Sequence, residues 1–160
     1  MPKFIFIREI EFPKPKFKKS YLAEWHKTQV GGTHYKGWVI PVIDFCQVNK
    51  LSAAQSSIVR YVCRYKDKNG LEDLKKIIHY LKYLIAEIQD RKMEQRPADY
   101  KFKMPIKDFC FLNNLNNVQS QIIEAVCYYN CRSTTPLSTL IKAKENTEYL
   151  IGALENEQNH

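Results

Sequence analysis

The sequence predicts a mainly α protein in which two tandem three-helix units pack as one helical bundle, preceded by a short extended or β arm. A repeat defines the units, because residues 41–46 (Pro-Val-Ile-Asp-Phe-Cys) return at 105–110 as Pro-Ile-Lys-Asp-Phe-Cys. Apolar residues at helical spacing over residues 71–88 predict a long amphipathic helix. Strand and helix patterns do not alternate along the chain, which excludes a parallel α/β fold.

The N-terminal arm is predicted to cover residues 1–30. Residues 4–12 alternate in hydropathy as a strand does. Residues 13–19 hold two prolines and four lysines, which favours an extended, basic segment over a helix. An exposed strand favours pairing with a partner, so the arm indicates a homo-oligomer.

The first unit is predicted to cover residues 31–90. It opens with a glycine-punctuated loop over residues 31–37, followed by a short helix over 42–49. Ser52 is the expected N-cap of a second helix over 53–65, and a turn at 67–70 leads into the long third helix. A hinge over residues 91–100 precedes the second unit, residues 101–156, which repeats the three helices.

Charge and cysteine placement limit the functional classes. The net charge is +8, of which residues 1–30 carry +4, residues 31–96 carry +5 and residues 97–160 carry −1. Such a distribution suits an anionic partner: nucleotide phosphate, nucleic acid or the acidic edge of a neighbouring subunit. Cys46 and Cys63 recur as Cys110 and Cys127, which predicts buried core cysteines. The histidines have no metal-ligand spacing, so we expect no metal site.

No apolar run approaches the roughly 20 residues of a membrane span. Residues 4–7 are too short for the core of a signal peptide and are followed by charge. We therefore expect a soluble, cytoplasmic protein without a membrane partner.

Comparing the two units predicts where the chemistry lies. The apolar skeleton is shared, but Arg60, Arg64, Glu72, Asp73 and Tyr80 are replaced in the second unit by Glu124, Tyr128, Ser138, Thr139 and Asn146. Helical spacing places Ser57, Arg60 and Arg64 on one stripe. Joint loss of these polar residues indicates one working site, in the first unit. The candidate binding residues are His34, Tyr35, Ser57, Arg60, Arg64, Lys66, Lys68, Lys75, Lys76 and Tyr80.

These residues also carry a resemblance. Residues 31–35 (Gly-Gly-Thr-His-Tyr), 57–66 and 70–81 are similar to a phage family, the SaV-like domains, long catalogued as of unknown function. Its pattern is a histidine-tyrosine loop, Gly-Asn-x-x-Lys-Tyr-x-x-Arg and Glu-Asp-Leu-x-Lys-Ala-x-x-Tyr-Leu. This chain has Ser56-Ser57 for Gly-Asn and Arg60 for Lys. The family includes a nucleotide kinase without a P-loop that phosphorylates deoxynucleoside monophosphates, which implies that activity, ATP as donor and the cytoplasm of an infected bacterium.

Phosphoryl transfer needs several cations around the phosphate oxygens and an oriented acceptor. Arg60 and Arg64, with lysines of the first unit, could supply the cations, and no P-loop motif is present. We take Asp73, Glu72 and Arg64 as the candidate catalytic residues, the carboxylates orienting an acceptor hydroxyl or holding magnesium. Tyr35 or Tyr80 could stack a base. Whether magnesium is required stays open.

Three other classes compete with the kinase interpretation. A non-catalytic nucleotide-binding protein, for example one that sequesters a signalling nucleotide as a counter-defence factor, would need the cations but not the acids. A nucleic-acid-binding protein could use the basic arm with Phe12, Phe17 and Tyr21. A nucleotide pyrophosphohydrolase would need more facing carboxylates than Glu72 and Asp73.

Overall fold

The helices follow the order that the repeat predicts. A computed structural model describes residues 38–132 and 134–160, and in these residues the predicted mainly α bundle is confirmed. The described helices are α1 (Val42–Val48), α2 (Ala53–Arg64), α3 (Leu71–Gln89), α4 (Ile106–Leu112), α5 (Asn117–Tyr128) and α6 (Pro136–Gln158). Between them the described residues form no strand, only an isolated bridge from Arg96 to Cys131. The predicted arm and the loop over residues 31–37 lie outside the described residues.

Helices α2 and α5 begin with the same capping box. The Ser52 hydroxyl accepts a hydrogen bond from the Gln55 backbone N–H at 3.2 Å, and the Gln55 side-chain oxygen accepts one from the Ser52 N–H at 2.9 Å. Asn116 and Gln119 make the equivalent pair at 2.8 and 3.1 Å. Each box satisfies N–H groups that the first helical turn leaves unpaired. The predicted N-cap at Ser52 is therefore confirmed.

Four helices form the body of the bundle. α2 packs on α3 and α5 packs on α6, while α2 also contacts α5 and α3 contacts α6, which closes a ring. The short helices α1 and α4 pack on α2 and α5 respectively. The core contains equivalent residues from both units, including Phe45, Ile58 and Val62 with Phe109, Ile122 and Val126, all fully buried.

The contacts between the units are reciprocal. The Gln55 side-chain amide donates to the Val126 carbonyl at 2.8 Å, and the Gln119 amide donates to the Val62 carbonyl at 2.8 Å. The rings of Phe45 and Phe109 stack with their centroids 4.0 Å apart. In a two-fold interface each contact occurs twice, with the roles of the two halves exchanged. The two units therefore pair within one chain as the subunits of a symmetric dimer do.

A second reciprocal pair, which the sequence comparison did not single out, ties each short helix to the opposite unit. The buried Asn49 side chain donates to the Met104 carbonyl at 2.9 Å and accepts from its N–H at 3.0 Å. The Asn113 side chain donates to the Ile40 carbonyl at 2.8 Å and accepts from its N–H at 3.2 Å. Asn49 and Asn113 occupy equivalent positions of the repeat, so an alignment of the two units identifies both.

The segment between the units is tied to the end of α1. Arg96 donates to the carbonyls of Asn49 and Lys50 at 3.1 and 2.7 Å, and its guanidinium lies 4.2 Å from the centroid of the Tyr100 ring. Carbonyls at a helix C-terminus lack intrahelical partners, so Arg96 satisfies that of Asn49, the C-cap of α1, together with that of the next residue, Lys50.

All five cysteines are free and buried, which confirms their prediction as core residues. Burial raises the pKa of the Cys46 and Cys110 thiols to about 11. Burial also raises the pKa of Cys63 and Cys127 well above the usual value for a thiol. The cysteines therefore stay protonated and pack as small apolar side chains.

Within residues 38–132 and 134–160, none of the helices combines the length and the apolar character that a membrane crossing requires.

Candidate functional site

The predicted cations gather around an aromatic ring where α2 packs on α3. The guanidinium carbons of Arg60 and Arg64 lie 5.8 and 4.8 Å from the centroid of the Tyr61 ring, and the ammonium nitrogen of Lys76 lies 5.6 Å from it. The Tyr80 ring stacks on Tyr61 at 6.1 Å, with the ring planes 21° apart. We call Arg60, Tyr61, Arg64, Lys76 and Tyr80 the cation cluster. Two helices contribute to it, so the α2–α3 packing sets its geometry.

Arg64 is held by a buried carboxylate. Its Nε and Nη2 atoms donate to the two oxygens of Asp73, each at 3.0 Å. The Asp73 side chain is fully buried and that of Arg64 is 14% exposed. A bidentate pair fixes the plane of the guanidinium as well as its position. Of the two candidate catalytic acids, Asp73 is therefore the one that orients Arg64.

Glu72 and Lys76 form an ion pair along α3. Both side chains are more open to solvent than the buried pair, at 65% and 39% exposed. The hydrogen bond to Glu72 raises the pKa of the Lys76 ammonium, so Lys76 carries its charge throughout the physiological range. Glu72 also lies in the first turn of α3, where a negative charge complements the helix dipole.

Arg60 lies on the exposed side of α2, close to a buried serine. Its Nη2 donates to the hydroxyl of Ser57 at 3.4 Å, and Ser57 is only 8% exposed. This contact confirms that Ser57 and Arg60 lie on one stripe of α2. The His79 ring meets Tyr80 edge-on at 5.5 Å, on the solvent side of α3.

The remaining predicted lysines lie close to the cluster in the chain and are exposed. Lys66 and Lys68 are exposed in the turn between α2 and α3, and Lys75 is exposed on α3. Gly70 ends that turn with a φ of +46°, a conformation that glycine adopts at low cost. Residues 60–76 carry six cations and three acids, so the turn and its flanking helices keep a positive surplus. His34 and Tyr35, the predicted loop residues, lie outside the described residues.

The equivalent place in the second unit holds aromatic rings. Tyr128, the counterpart of Arg64, meets Phe102 edge-on at 4.9 Å, and Phe102 meets Tyr100 at 5.1 Å. The hydroxyl of Thr139, the counterpart of Asp73, donates to the Thr135 carbonyl of its own helix at 2.8 Å. Among the described residues, the structure therefore brings three of the predicted cations, Arg60, Arg64 and Lys76, over one ring, and their ring has no counterpart at Ala125 of the second unit.

Sequence comparison missed Tyr61, although the signal for it was available. Tyr61 corresponds to Ala125, a loss of the same kind as those at Arg60 and Arg64. No three His, Cys, Asp or Glu side chains in the described part of the chain group closely enough to hold a metal ion.

Residues 30–82 match the sequence model of a protein family described as of unknown function, DUF3310. No curated protein and no solved structure matches the chain. The matched residues include α1, α2 and most of α3, together with every candidate binding and catalytic residue. The likeness to this family is thus confined to the unit that carries the cation cluster.

Proposed function

We propose that the protein binds a nucleotide through its phosphate groups, at the cation cluster of the first unit. The observation that carries the proposal is the gathering of three cations around Tyr61 in this unit, a position at which the second unit has Ala125. Guanidinium groups match the geometry of phosphate oxygens, and lysine adds a compact positive charge. The surplus of lysines in the adjoining turn would draw an anion toward the cluster.

The proposed ligand would meet cations that are already in place. Asp73 holds Arg64, Glu72 pairs with Lys76, and Ser57 accepts a hydrogen bond from Arg60. Side chains that are ordered before binding lose less conformational entropy when the ligand arrives. These contacts support a built phosphate site over a solvated basic surface.

For turnover, we propose phosphoryl transfer from ATP to a deoxynucleoside monophosphate, in keeping with the phage-domain resemblance and a site of action in the infected bacterium. Such a reaction needs positioned cations and little covalent work by the protein. Arg64 would stabilise charge on the transferred group. Glu72, which is 65% exposed, is the carboxylate better placed to reach an acceptor hydroxyl or magnesium.

A second candidate, nucleotide binding without turnover, is favoured by a specific observation. Both acids that could assist catalysis are hydrogen-bonded to cations, Asp73 to Arg64 and Glu72 to Lys76. A protein that sequesters a signalling nucleotide would need these acids only to hold the cations. Binding is common to both candidates, and product formation separates them.

The test is a calorimetric screen of nucleoside mono-, di- and triphosphates, with chromatographic analysis of products when ATP is added. Diphosphate formation supports the kinase, and binding without product supports sequestration. Absence of nucleotide binding overturns the proposal, and salt-sensitive retention on oligonucleotides alone would assign the basic surface to nucleic acid.

The repeat supplies matched controls for this screen. Lys76→Gln removes a cation of the cluster, whereas Lys142→Gln changes the equivalent lysine of the second unit. A lost hydrogen bond to a charged group costs about 1.5–3 kcal/mol, so Lys76→Gln should weaken binding about ten- to a hundredfold. Lys142→Gln should leave binding unchanged, and an equal effect of both variants would contradict the placement of the site.

A further inference from the structure

We infer that Tyr61 is a positioning residue whose ring gathers the phosphate-binding cations of the first unit. The inference rests on the proposed nucleotide binding and assigns a cause to the geometry of that site. Cations within about 6 Å of an aromatic centroid are attracted by the negative face of the ring. Tyr61 has three such cations, from two helices: Arg60, Arg64 and Lys76.

The Tyr61 ring offsets an electrostatic repulsion between Arg60 and Arg64. Arg60 and Arg64 are one turn apart on α2, and like charges at this spacing destabilise a helix. Asp73 offsets the charge of Arg64, but Arg60 has only the neutral hydroxyl of Ser57 as its hydrogen-bond acceptor among the contacts described above. Attraction to the Tyr61 ring therefore helps to keep Arg60 beside Arg64 and Lys76.

The position of the ring is itself fixed from α3. Tyr80 stacks on Tyr61 with the two planes nearly parallel, and both side chains are half-buried against the core. Because the Tyr61 ring packs against the core and stacks on Tyr80, the cations that lie over it are placed relative to the bundle. A ring free to rotate would not define their positions.

The second unit separates this role from core packing. The residues after Tyr61 are Val62 and Cys63, and the residues after its counterpart Ala125 are Val126 and Cys127; all four are buried. The core of α5 is thus built without an aromatic ring at this position. The Tyr61 ring and the two arginines are replaced together in the second unit, by Ala125, Glu124 and Tyr128, while the lysine is kept as Lys142.

The test uses the full chain with three substitutions of similar bulk. Tyr61→Leu removes the ring, and Tyr61→Phe keeps the ring without its hydroxyl. Tyr83→Leu is the control, because it changes an exposed tyrosine of α3 outside the cation cluster. Affinities for inorganic tripolyphosphate and for deoxynucleoside monophosphates are measured by calorimetry. We expect Tyr61→Leu to weaken binding about tenfold, with Tyr61→Phe and Tyr83→Leu within about twofold of the wild type.

A ligand-free measurement keeps this inference distinct from the proposed function. The ring current of Tyr61 should shift the NMR signals of the Arg64 and Lys76 side chains; Tyr61→Phe should keep these shifts and Tyr61→Leu should abolish them. Shifts that survive Tyr61→Leu, or binding that Tyr61→Phe weakens as much as Tyr61→Leu does, overturn the inference. Wild-type protein that has the shifts but binds none of the phosphate probes overturns the proposed function alone.

Discussion

The buried ion pair between Arg64 and Asp73 gives the sharpest prediction for stability. Arg64→Ala would leave a fully buried carboxylate without the two hydrogen bonds that it accepts at 3.0 Å. Removing one partner of a buried pair costs about 3–5 kcal/mol. Domains of this size have an unfolding free energy of about 5–15 kcal/mol, so the loss is a large share of the total.

The assay is urea unfolding followed by far-UV circular dichroism, with the free energy extrapolated to water. Lys144→Ala is the matched control, because Lys144 and Glu148 form an ion pair one turn apart whose side chains are 32% and 52% exposed. Exposed pairs of this kind contribute about 0.5 kcal/mol or less. An Arg64→Ala variant no less stable than Lys144→Ala would refute the reasoning.

The second unit suggests a rescue that separates stability from binding. At the equivalent positions it uses Tyr128 and Thr139, which need no ion pair. Replacing a buried pair as a whole by residues that pack well is often close to neutral. The double variant Arg64→Tyr with Asp73→Thr should therefore recover most of the stability lost in Arg64→Ala, to within about 1.5 kcal/mol of the wild type. Because it lacks the Arg64 guanidinium, it should not bind nucleotide.

Two further predictions concern the interface between the units and the buried thiols. Gln55→Ala and Gln119→Ala each leave a buried carbonyl unpaired, so both should lower the unfolding free energy by about 1–3 kcal/mol in urea melts; clearly unequal losses would contradict the two-fold pairing. Burial raises the pKa of Cys46 from 9.0 to about 11. The contribution of the protonated thiol to the free energy of unfolding is therefore complete below pH 9 and is lost as the pH rises toward 11. At about 1.4 kcal/mol per pKa unit this amounts to about 3 kcal/mol. Cys46→Ala should flatten the fall of the unfolding midpoint between pH 9 and 11, and an unchanged slope would count against it.

The helices could be predicted from the sequence because their signals are local. The Ser52 cap, the spacing of apolar residues in α3 and the repeated cysteines each depend on residues close together in the chain. The repeat then predicted that the second unit would have the same elements. Comparison of the two units also indicated which side of α2 carries the candidate site.

The partners of the site residues could not be predicted in the same way. Arg64, at the end of α2, meets Asp73, in the first turn of α3, across the turn that joins the two helices. Their spacing does not predict that the carboxylate points inward and is fully buried. Tyr61 acquires its role only when Lys76 of α3 approaches Arg60 and Arg64 of α2. These contacts depend on how α2 and α3 pack, which short-range patterns do not fix.

The reciprocal glutamines Gln55 and Gln119 have a consequence for how the two halves can change. In a dimer of identical subunits every substitution occurs twice, so a mutation in a ligand site alters both sites at once. Here the interface has dimer-like symmetry but each half is encoded separately. One half can therefore lose its arginines, as at Glu124 and Tyr128, while the shared core that both halves need is preserved.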